Sequence, residues 1–170
     1  RACGHHAVNP EGLTGVRVSV DSAGARSAGF AGLATCGSVW ACPSCNAKIA
    51  ARRAEELAEA VRTWQASGGS IYLLTLTQRH HRNDRLSHLW EGLSYAWSKT
   101  TSGRGWQDDT DAYGTVLAGK ERLPWVRSVE ATHGANGWHL HVHALLFLRG
   151  DVDSDALGKS MFSRWRDALE

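Results

Sequence analysis

The stretch "GWHLHVHALLFL", residues 137–148, places three of the chain's nine histidines at alternate positions and follows them with an apolar run. Side chains alternate between the two faces of a β-strand, so the stretch predicts a strand with His139, His141 and His143 on one face. The aliphatic residues between them point to the other face, as they would towards a core. The sequence therefore predicts a half-buried sheet whose outer face carries a row of imidazoles.

The spacing of these histidines limits how they could bind a metal ion. Neighbouring members of the set are about 7 Å apart at Cα, and the outer pair is about 13 Å apart. Two adjacent rings can converge on one ion, whereas three equal ligands on one ion are not expected. A polar outer face that is rich in histidine and has no ligand role is the alternative interpretation of the spacing alone.

The strand-like stretch "LPWVRSVEAT", residues 123–132, supplies one carboxylate, Glu130, across the short loop "HGANG". An oxygen ligand beside two imidazoles favours Mg²⁺ or Mn²⁺ over a closed zinc site. Residues that pair across strands share a face, so Glu130 must lie opposite an odd-numbered histidine. A symmetric hairpin centred on Ala135 would place it opposite Leu140, so the hypothesis requires a shifted register or a bulge. A carboxylate that simply faces solvent is the alternative.

Four cysteines indicate a second metal site. Cys42 and Cys45 form the motif "CPSC", in which two thiolates three positions apart can share a tetrahedral zinc ion. Cys36 is expected as the third ligand. Two disulfides are the alternative, but nothing in the sequence indicates secretion, and a core of this size does not need cross-links. The candidates for the fourth zinc ligand are Cys3, His5 and His6.

Hydrophobic periodicity predicts the remaining elements. Residues 21–29 are expected to form a turn and residues 104–122 an irregular polar segment. Strands joined by hairpins, with helices between them, favour an α+β domain with a mainly antiparallel sheet. The strands are predicted over residues 13–20, 30–35, 70–78, 123–132 and 137–148, and the helices over 46–66, from a cap at Asp84 to about Gly103, and from Asp153 or Ser154.

Composition excludes few classes of function. The chain has 170 residues with 42% apolar residues, and a formal net charge of +2, which by itself indicates no particular partner. It contains no apolar run of membrane-spanning length and no recognisable signal peptide, so we expect a cytoplasmic protein without a membrane partner. It begins without Met and ends within a helical pattern, so we expect a piece of a longer protein.

Three motifs in this order resemble a known family: "TLT" on a predicted strand, "VEATHGANGWHLHVHALLF", and the upstream "CGSVWACPSC". The combination resembles the rolling-circle replication initiators of actinobacterial plasmids, members of the HUH endonuclease superfamily (named for His-hydrophobic-His). This resemblance covers nearly the whole chain. It implies a ferredoxin-like palm with a central antiparallel sheet flanked by helices over 49–170. Residues 1–48 would form N-terminal strands and the zinc knuckle. The alternatives are an HUH-type transposase and a zinc-stabilised DNA-binding module without catalysis.

The resemblance also implies a chemistry. His141 and His143, followed directly by an aliphatic run, would hold Mg²⁺ or Mn²⁺, with Glu130 as third ligand if the register allows and His139 as a supporting or alternative ligand. The ion would polarise a phosphate of single-stranded or hairpin origin DNA. A tyrosine would then attack to give a 5′-phosphotyrosine and a free 3′-OH. Host helicase and polymerase are the expected protein partners.

The tyrosines depart from the family pattern, in which the nucleophile follows the histidine strand. Tyr72, Tyr95 and Tyr113 all precede it and are expected to pack in the structure. We therefore expect the nucleophile beyond Glu170, and we expect this chain to hold metal and DNA without nicking.

Residues at the end of the predicted strand 70–78 are candidates for DNA contact. Thr75 and Thr77 share one face and would line the site or touch phosphate, with ordinary strand threonines as the alternative. The basic cluster that follows would contact DNA phosphates, with a solvated turn as the alternative. Its members are Arg79, His80, His81 and Arg82.

Overall fold

The computed structural model describes residues 3–170, which divide into two compact units, one that ends at Glu59 and one from Ala60 to Glu170. The fold is α+β with an antiparallel three-stranded sheet, as the sequence predicts. No helix in the described part of the chain is long and apolar enough to cross a membrane. The elements are β1 (Gly15–Val20), β2 (Arg26–Ala31), α1 (Pro43–Ala66), β3 (Ser70–Thr77), α2 (Leu86–Thr100), α3 (Gly103–Tyr113), β4 (Thr115–Leu117), β5 (Lys120–Arg122), β6 (Trp125–Gly134), β7 (Gly137–Leu148) and α4 (Ser154–Leu169).

The first unit contains the β1–β2 hairpin and most of α1. The predicted strand over 30–35 is wrong, because the hairpin turn is shorter than the predicted turn over 21–29. Asp21 closes it by accepting backbone hydrogen bonds from Ala23 and Ala25, so β2 already begins at Arg26. Helix α1 begins at Pro43 rather than Asn46, since a proline is tolerated in the first turn of a helix. The division between the two units and the predicted boundary after residue 48 both fall inside α1.

The second unit is built on the sheet β3-β7-β6, in which β7 is the central strand. One face of β7 is fully covered, because its even-numbered residues pack against α2 and α4. Burying large aliphatic side chains here contributes about 1.5–3 kcal/mol for each. The covered residues of β7 are Leu140, Val142, Ala144, Leu146 and Leu148.

The turn between β6 and β7 sets the register of the sheet. Gly134 pairs with Gly137, so the loop contains only Ala135 and Asn136 and is not centred on Ala135. The shift places Glu130 opposite His141 rather than Leu140, which meets the condition that the sequence imposed on this carboxylate.

Two predictions about the helices are corrected. The segment 104–122 is not irregular, because it forms α3 and the short β4–β5 hairpin. Helix α2 is not capped by Asp84: its N-cap is Arg85, and the Asp84 carboxylate instead accepts a hydrogen bond from the His81 backbone N–H. The prediction for α4 is confirmed, since Asp153 is the N-cap and accepts from the Ala156 backbone N–H.

Candidate functional site

The sheet of the second unit gathers the predicted polar residues on the face opposite its covered core. His141 lies between Thr77 on β3 and Glu130 on β6, and His143 lies opposite Thr75. Because paired residues share a face, three separate segments of the sequence meet at one surface. We call this surface the histidine face, and its members are Thr75, Thr77, Glu130, His139, His141 and His143.

Hydrogen bonds orient two of the imidazoles. Thr77 Oγ1 is 3.0 Å from His141 Nδ1, and Thr75 Oγ1 is 3.1 Å from His143 Nδ1. His143 Nε2 is 3.1 Å from Glu130 Oε2, whereas His141 Nε2 has no hydrogen-bond partner among residues 3–170. At His141, Nε2 keeps its lone pair when Nδ1 donates to Thr77, which is the arrangement of a metal-binding histidine. At His143 the Glu130 carboxylate can only accept, so Nε2 donates to it.

The surroundings of His141 favour the neutral form of its ring. Burial lowers the pKa of His141 below its ordinary value, and the neighbouring imidazoles of His139, His143 and His80 act in the same direction. The Glu130 carboxylate opposes this effect without reversing it. A neutral imidazole is the form that binds metal, so His141 is prepared for that role at neutral pH.

The four cysteines of the first unit form a compact set that could hold a metal ion. Their sulfurs all lie within 4.8 Å of one another, with Cys3 Sγ 3.3 Å and Cys36 Sγ 3.8 Å from Cys45 Sγ. All four are free thiols, and these separations far exceed a disulfide bond of about 2.05 Å. Tetrahedral zinc with Zn–S distances of about 2.3 Å would require sulfurs about 3.8 Å apart. The structure brings Cys3, and not His5 or His6, to the other three cysteines.

The thiols of this set polarise one another. The Cys36 backbone N–H donates to Cys3 Sγ, but hydrogen bonds with the Cys45 and Cys42 side chains outweigh it and raise the pKa of Cys3 to about 12. At Cys42 the Cys45 backbone N–H and the Cys3 side chain favour the thiolate and lower the pKa to about 7. The Cys42 thiol thus loses its proton more readily than the Cys3 thiol, and a thiolate-binding cation would displace the protons of its ligands.

Comparison with known proteins identifies the family of the chain. A sequence model of the family Rep_1, described as replication protein, matches residues 31–155. The chain belongs to this replication protein family. Its resemblance to actinobacterial replication proteins is confirmed, because "Protein rep" of Streptomyces lividans is 34% identical over 150 residues, covering 76% of this chain and 33% of that protein.

A second relative matches a similar share of the chain at a similar identity. The "Neomycin resistance protein" of Streptomyces cyanogenus is 32% identical over 159 residues, covering 81% of this chain and 36% of that protein. The chain spans about a third of the length of these curated relatives. No solved structure matches it.

The tyrosines of this member of the replication protein family lie away from the histidine face. Tyr72 pairs with Leu146, so it is on the opposite face of the sheet and packs against the core, as does Tyr113. Tyr95 is on α2 with 55% of its side chain exposed, and Lys99 Nζ lies 5.3 Å from the centre of its ring. None of the tyrosines within residues 3–170 faces the predicted metal ligands.

The predicted DNA contacts separate into two groups. Thr75 and Thr77 contact imidazoles directly, as described above. Arg79 is exposed and lines a cavity of about 270 Å³ with Thr77 and Phe162. His80 instead lies against the row of histidines, with its ring centre 4.7 Å from that of His139. The predicted contact of His80 with DNA phosphate stays a prediction, and its position beside His139 follows from the packing of the loop after β3.

Proposed function

We propose that this chain is the nuclease domain of a rolling-circle initiator, which nicks and rejoins single-stranded or hairpin DNA at a plasmid origin. The observation that carries the proposal is the register of β6 with β7. It places Glu130 beside two threonine-oriented imidazoles in a member of the replication protein family.

The residues of the histidine face fit a divalent ion bound by mixed nitrogen and oxygen ligands. His141 and His143 would bind Mg²⁺ or Mn²⁺ through Nε2 and Glu130 through a carboxylate oxygen, with His139 as a supporting ligand. The bond between His143 Nε2 and Glu130 would give way to the ion. A bound ion would withdraw charge from the scissile phosphate. Thr75 and Thr77 hold the two rings in place by hydrogen bonds to Nδ1.

The proposed reaction is a transesterification. A tyrosine hydroxyl attacks the phosphorus, its oxygen–phosphorus bond forms, and the bond from phosphorus to the 3′ oxygen breaks. The phenolic proton leaves to solvent, and the departing 3′ oxygen takes up a proton, so the products are a 5′-phosphotyrosine and a free 3′-OH. The reverse reaction joins the strand. Host polymerase would extend the 3′-OH while a host helicase unwinds the duplex, and the tyrosine is expected from chain outside residues 3–170.

The topology of the second unit supports a ferredoxin-like palm. In that fold the order βαββαβ gives an antiparallel sheet with strand order 4-1-3-2. Here β3 precedes α2, β6 and β7 form a hairpin, and α4 follows β7, while the sheet order is β3-β7-β6. This corresponds to strands 1, 3 and 2. A fourth strand after α4 would pair with the free edge of β3 and complete the palm.

For the cysteine set we propose structural zinc. Four thiolates and no open coordination position are typical of zinc sites that stabilise a fold and do not catalyse a reaction. The sulfur separations support this ligand set.

The test of the proposed function uses the full-length protein and a labelled single-stranded origin oligonucleotide in the presence of Mn²⁺. We expect cleavage and a covalent DNA–protein adduct, whose modified tyrosine is identified by mass spectrometry. The double variant His141→Ala/His143→Ala should lose both, whereas His88→Ala, at an exposed position on α2, should retain them. Cleavage by the double variant would refute the role of the pair. Origin binding without any adduct in the parent protein would favour the non-catalytic DNA-binding module.

A further inference from the structure

The loop after β3 is held against the turn between β6 and β7. At its centre, the Asp84 carboxylate accepts from the His81 backbone N–H at 2.7 Å, and the Asp84 backbone N–H donates to the His81 carbonyl at 3.1 Å. Arg82 lies so close to Gly137 that a Cβ on that glycine would be 2.6 Å from the Arg82 carbonyl oxygen. The loop therefore has a defined position, and this position brings His80 to the end of the histidine row.

The rings at this end of the row lie close to the spacing of two ligands on one ion. Two imidazoles on one ion, each with a metal–nitrogen distance of about 2.1 Å, have ring centres about 4.5–5.2 Å apart. The ring centres of His80 and His139 are 4.7 Å apart, within this range, and those of His139 and His141 are 4.3 Å apart, slightly below it. The ring centres of His141 and His143 are 5.9 Å apart and the rings are nearly parallel, so these two rings would have to turn towards each other to share the ion of the proposed function.

Small ring rotations would complete the arrangement. Within residues 3–170, only the cysteines already bring three or more ligand atoms within 4.8 Å. The ring torsion of histidine is soft, so the nitrogens can turn towards one another without moving the backbone. Metal binding at His141 Nε2 would break no hydrogen bond within the described chain, because this nitrogen makes none there.

We propose that His80, His139 and His141 form a second, imidazole-only cation site that takes a borderline ion such as Zn²⁺, Co²⁺ or Ni²⁺. Three neutral imidazoles without a carboxylate suit these ions and not Mg²⁺, which prefers oxygen ligands. The site shares His141 with the Mg²⁺ or Mn²⁺ site, so the two ions exclude each other. This competition rests on the proposed function, whereas the ligand set does not.

The test is a titration of the protein with Co²⁺ after the cysteine set has been filled with zinc. The absence of thiolate-to-cobalt charge-transfer absorption shows that Co²⁺ has not entered the cysteines, and the d–d absorption then reports the imidazole site. We expect His80→Ala to weaken Co²⁺ binding at least tenfold and the exposed control His88→Ala to leave it unchanged. Equal Co²⁺ affinity in these two variants would overturn the proposal.

A second variant separates this proposal from the proposed function. Glu130→Gln should weaken Mn²⁺ binding and leave Co²⁺ binding unchanged. His80→Ala should weaken Co²⁺ binding and leave Mn²⁺ binding unchanged. If Mn²⁺ binding is insensitive to Glu130 but Co²⁺ binding still depends on His80, the proposed function fails and the imidazole site stands. Loss of Co²⁺ affinity in Glu130→Gln would instead show a single mixed site and refute the second one.

The unmodified protein provides a measurement that does not depend on a variant folding. With histidine rings isotopically labelled, zinc added after the cysteine set is filled should shift the ring signals of His80, His139 and His141. The signals of His88 should stay in place. Shifts that omit His80 would contradict the proposed ligand set.

Discussion

Thr75 and Thr77 determine which ring nitrogen of two histidines is available. Each hydroxyl is hydrogen-bonded to Nδ1 of the histidine opposite it, so Nε2 is directed away from β3. Partners of this kind hold the orientation of a metal-binding imidazole, and a hydroxyl serves either tautomer because it both donates and accepts. The sequence predicts that these threonines line the site or touch phosphate; they lie beside the rings, and the phosphate contact stays a prediction.

Replacing Thr77 by valine tests this role at almost constant volume. The variant loses the bond to His141 Nδ1, and loss of such a partner typically lowers metal affinity about 10–100-fold. We therefore expect Thr77→Val to weaken Mn²⁺ binding about tenfold by calorimetry, with an unchanged far-ultraviolet circular dichroism spectrum. Thr115→Val, on β4, is the matched control and should bind Mn²⁺ as the parent does. Equal affinities for the two variants would contradict the positioning role.

Gly137 is required by its backbone conformation and by its neighbour. Its φ of +89° is unfavourable for residues with a side chain, and a Cβ would meet the backbone of Arg82. We expect Gly137→Ala to lower the free energy of unfolding by more than about 1 kcal/mol, measured by urea denaturation. Gly134→Ala, at the other end of the same turn, is the control, because nothing lies within 4 Å of its added Cβ. Equal stability of both variants would show that the loop does not rest on this contact.

At the scale of single elements, the sequence predicted the parts with strong periodicity. Strand β7 alternates polar and apolar residues over its three histidines, β3 has the composition of a buried strand, and α4 has both a cap and an apolar stripe. All three elements are confirmed within a few residues of their predicted bounds. Their signals are local, so they can be read from neighbouring positions. The histidines and Glu130 could be chosen as candidates for the same reason.

What the sequence did not show depends on contacts between distant residues. The polar sequence of α3 predicts an irregular segment, whereas the helix is joined to α4 by the ion pair of Asp109 with Arg164. The threonine–histidine bonds join residues 68 and 64 positions apart, and the position of His80 depends on the loop resting on Gly137. Such contacts follow from strand register and loop packing, neither of which is encoded in local periodicity.

The ion pair between α3 and α4 gives a prediction at this scale. Arg164 and Asp109 are 19% and 10% exposed, and Arg164 also donates to the Thr100 carbonyl oxygen at the end of α2. Removing one partner of a buried pair leaves the other charge desolvated, so we expect Asp109→Ala to destabilise the protein by about 3 kcal/mol. The adjacent Asp108, in an exposed pair with Arg104, is the control, and Asp108→Ala should change stability by less than about 0.5 kcal/mol. Chemical denaturation of both variants checks this, and equal effects would refute it.

At the scale of the whole molecule, the two units differ in what holds them together. The second unit has an extended core between its sheet and the helices α2 and α4. In the described part of the first unit, Cys45 is the only fully buried residue, and both strands of the β1–β2 hairpin are exposed almost throughout. A two-stranded hairpin is marginally stable by itself in water. We therefore expect the stability of the first unit to depend on a metal ion in its cysteine set, as proposed above, and that of the second unit to depend on its core.

Metal removal should consequently unfold one unit and spare the other. A structural zinc site contributes folding free energy directly, so a strong chelator should accelerate hydrogen exchange of the β1–β2 amides by more than about tenfold. Exchange at the centre of β7 should remain slow, because its protection comes from the apolar core. Variants separate the candidate ligands: Cys3→Ser should lose zinc and show fast exchange in the hairpin, whereas His5→Ala and His6→Ala should keep both zinc and protection. Zinc retention by Cys3→Ser together with zinc loss in either histidine variant would reverse the assignment of the fourth ligand. Slow exchange of the β1–β2 amides in the metal-free protein would mean that contacts other than the cysteine set stabilise the hairpin.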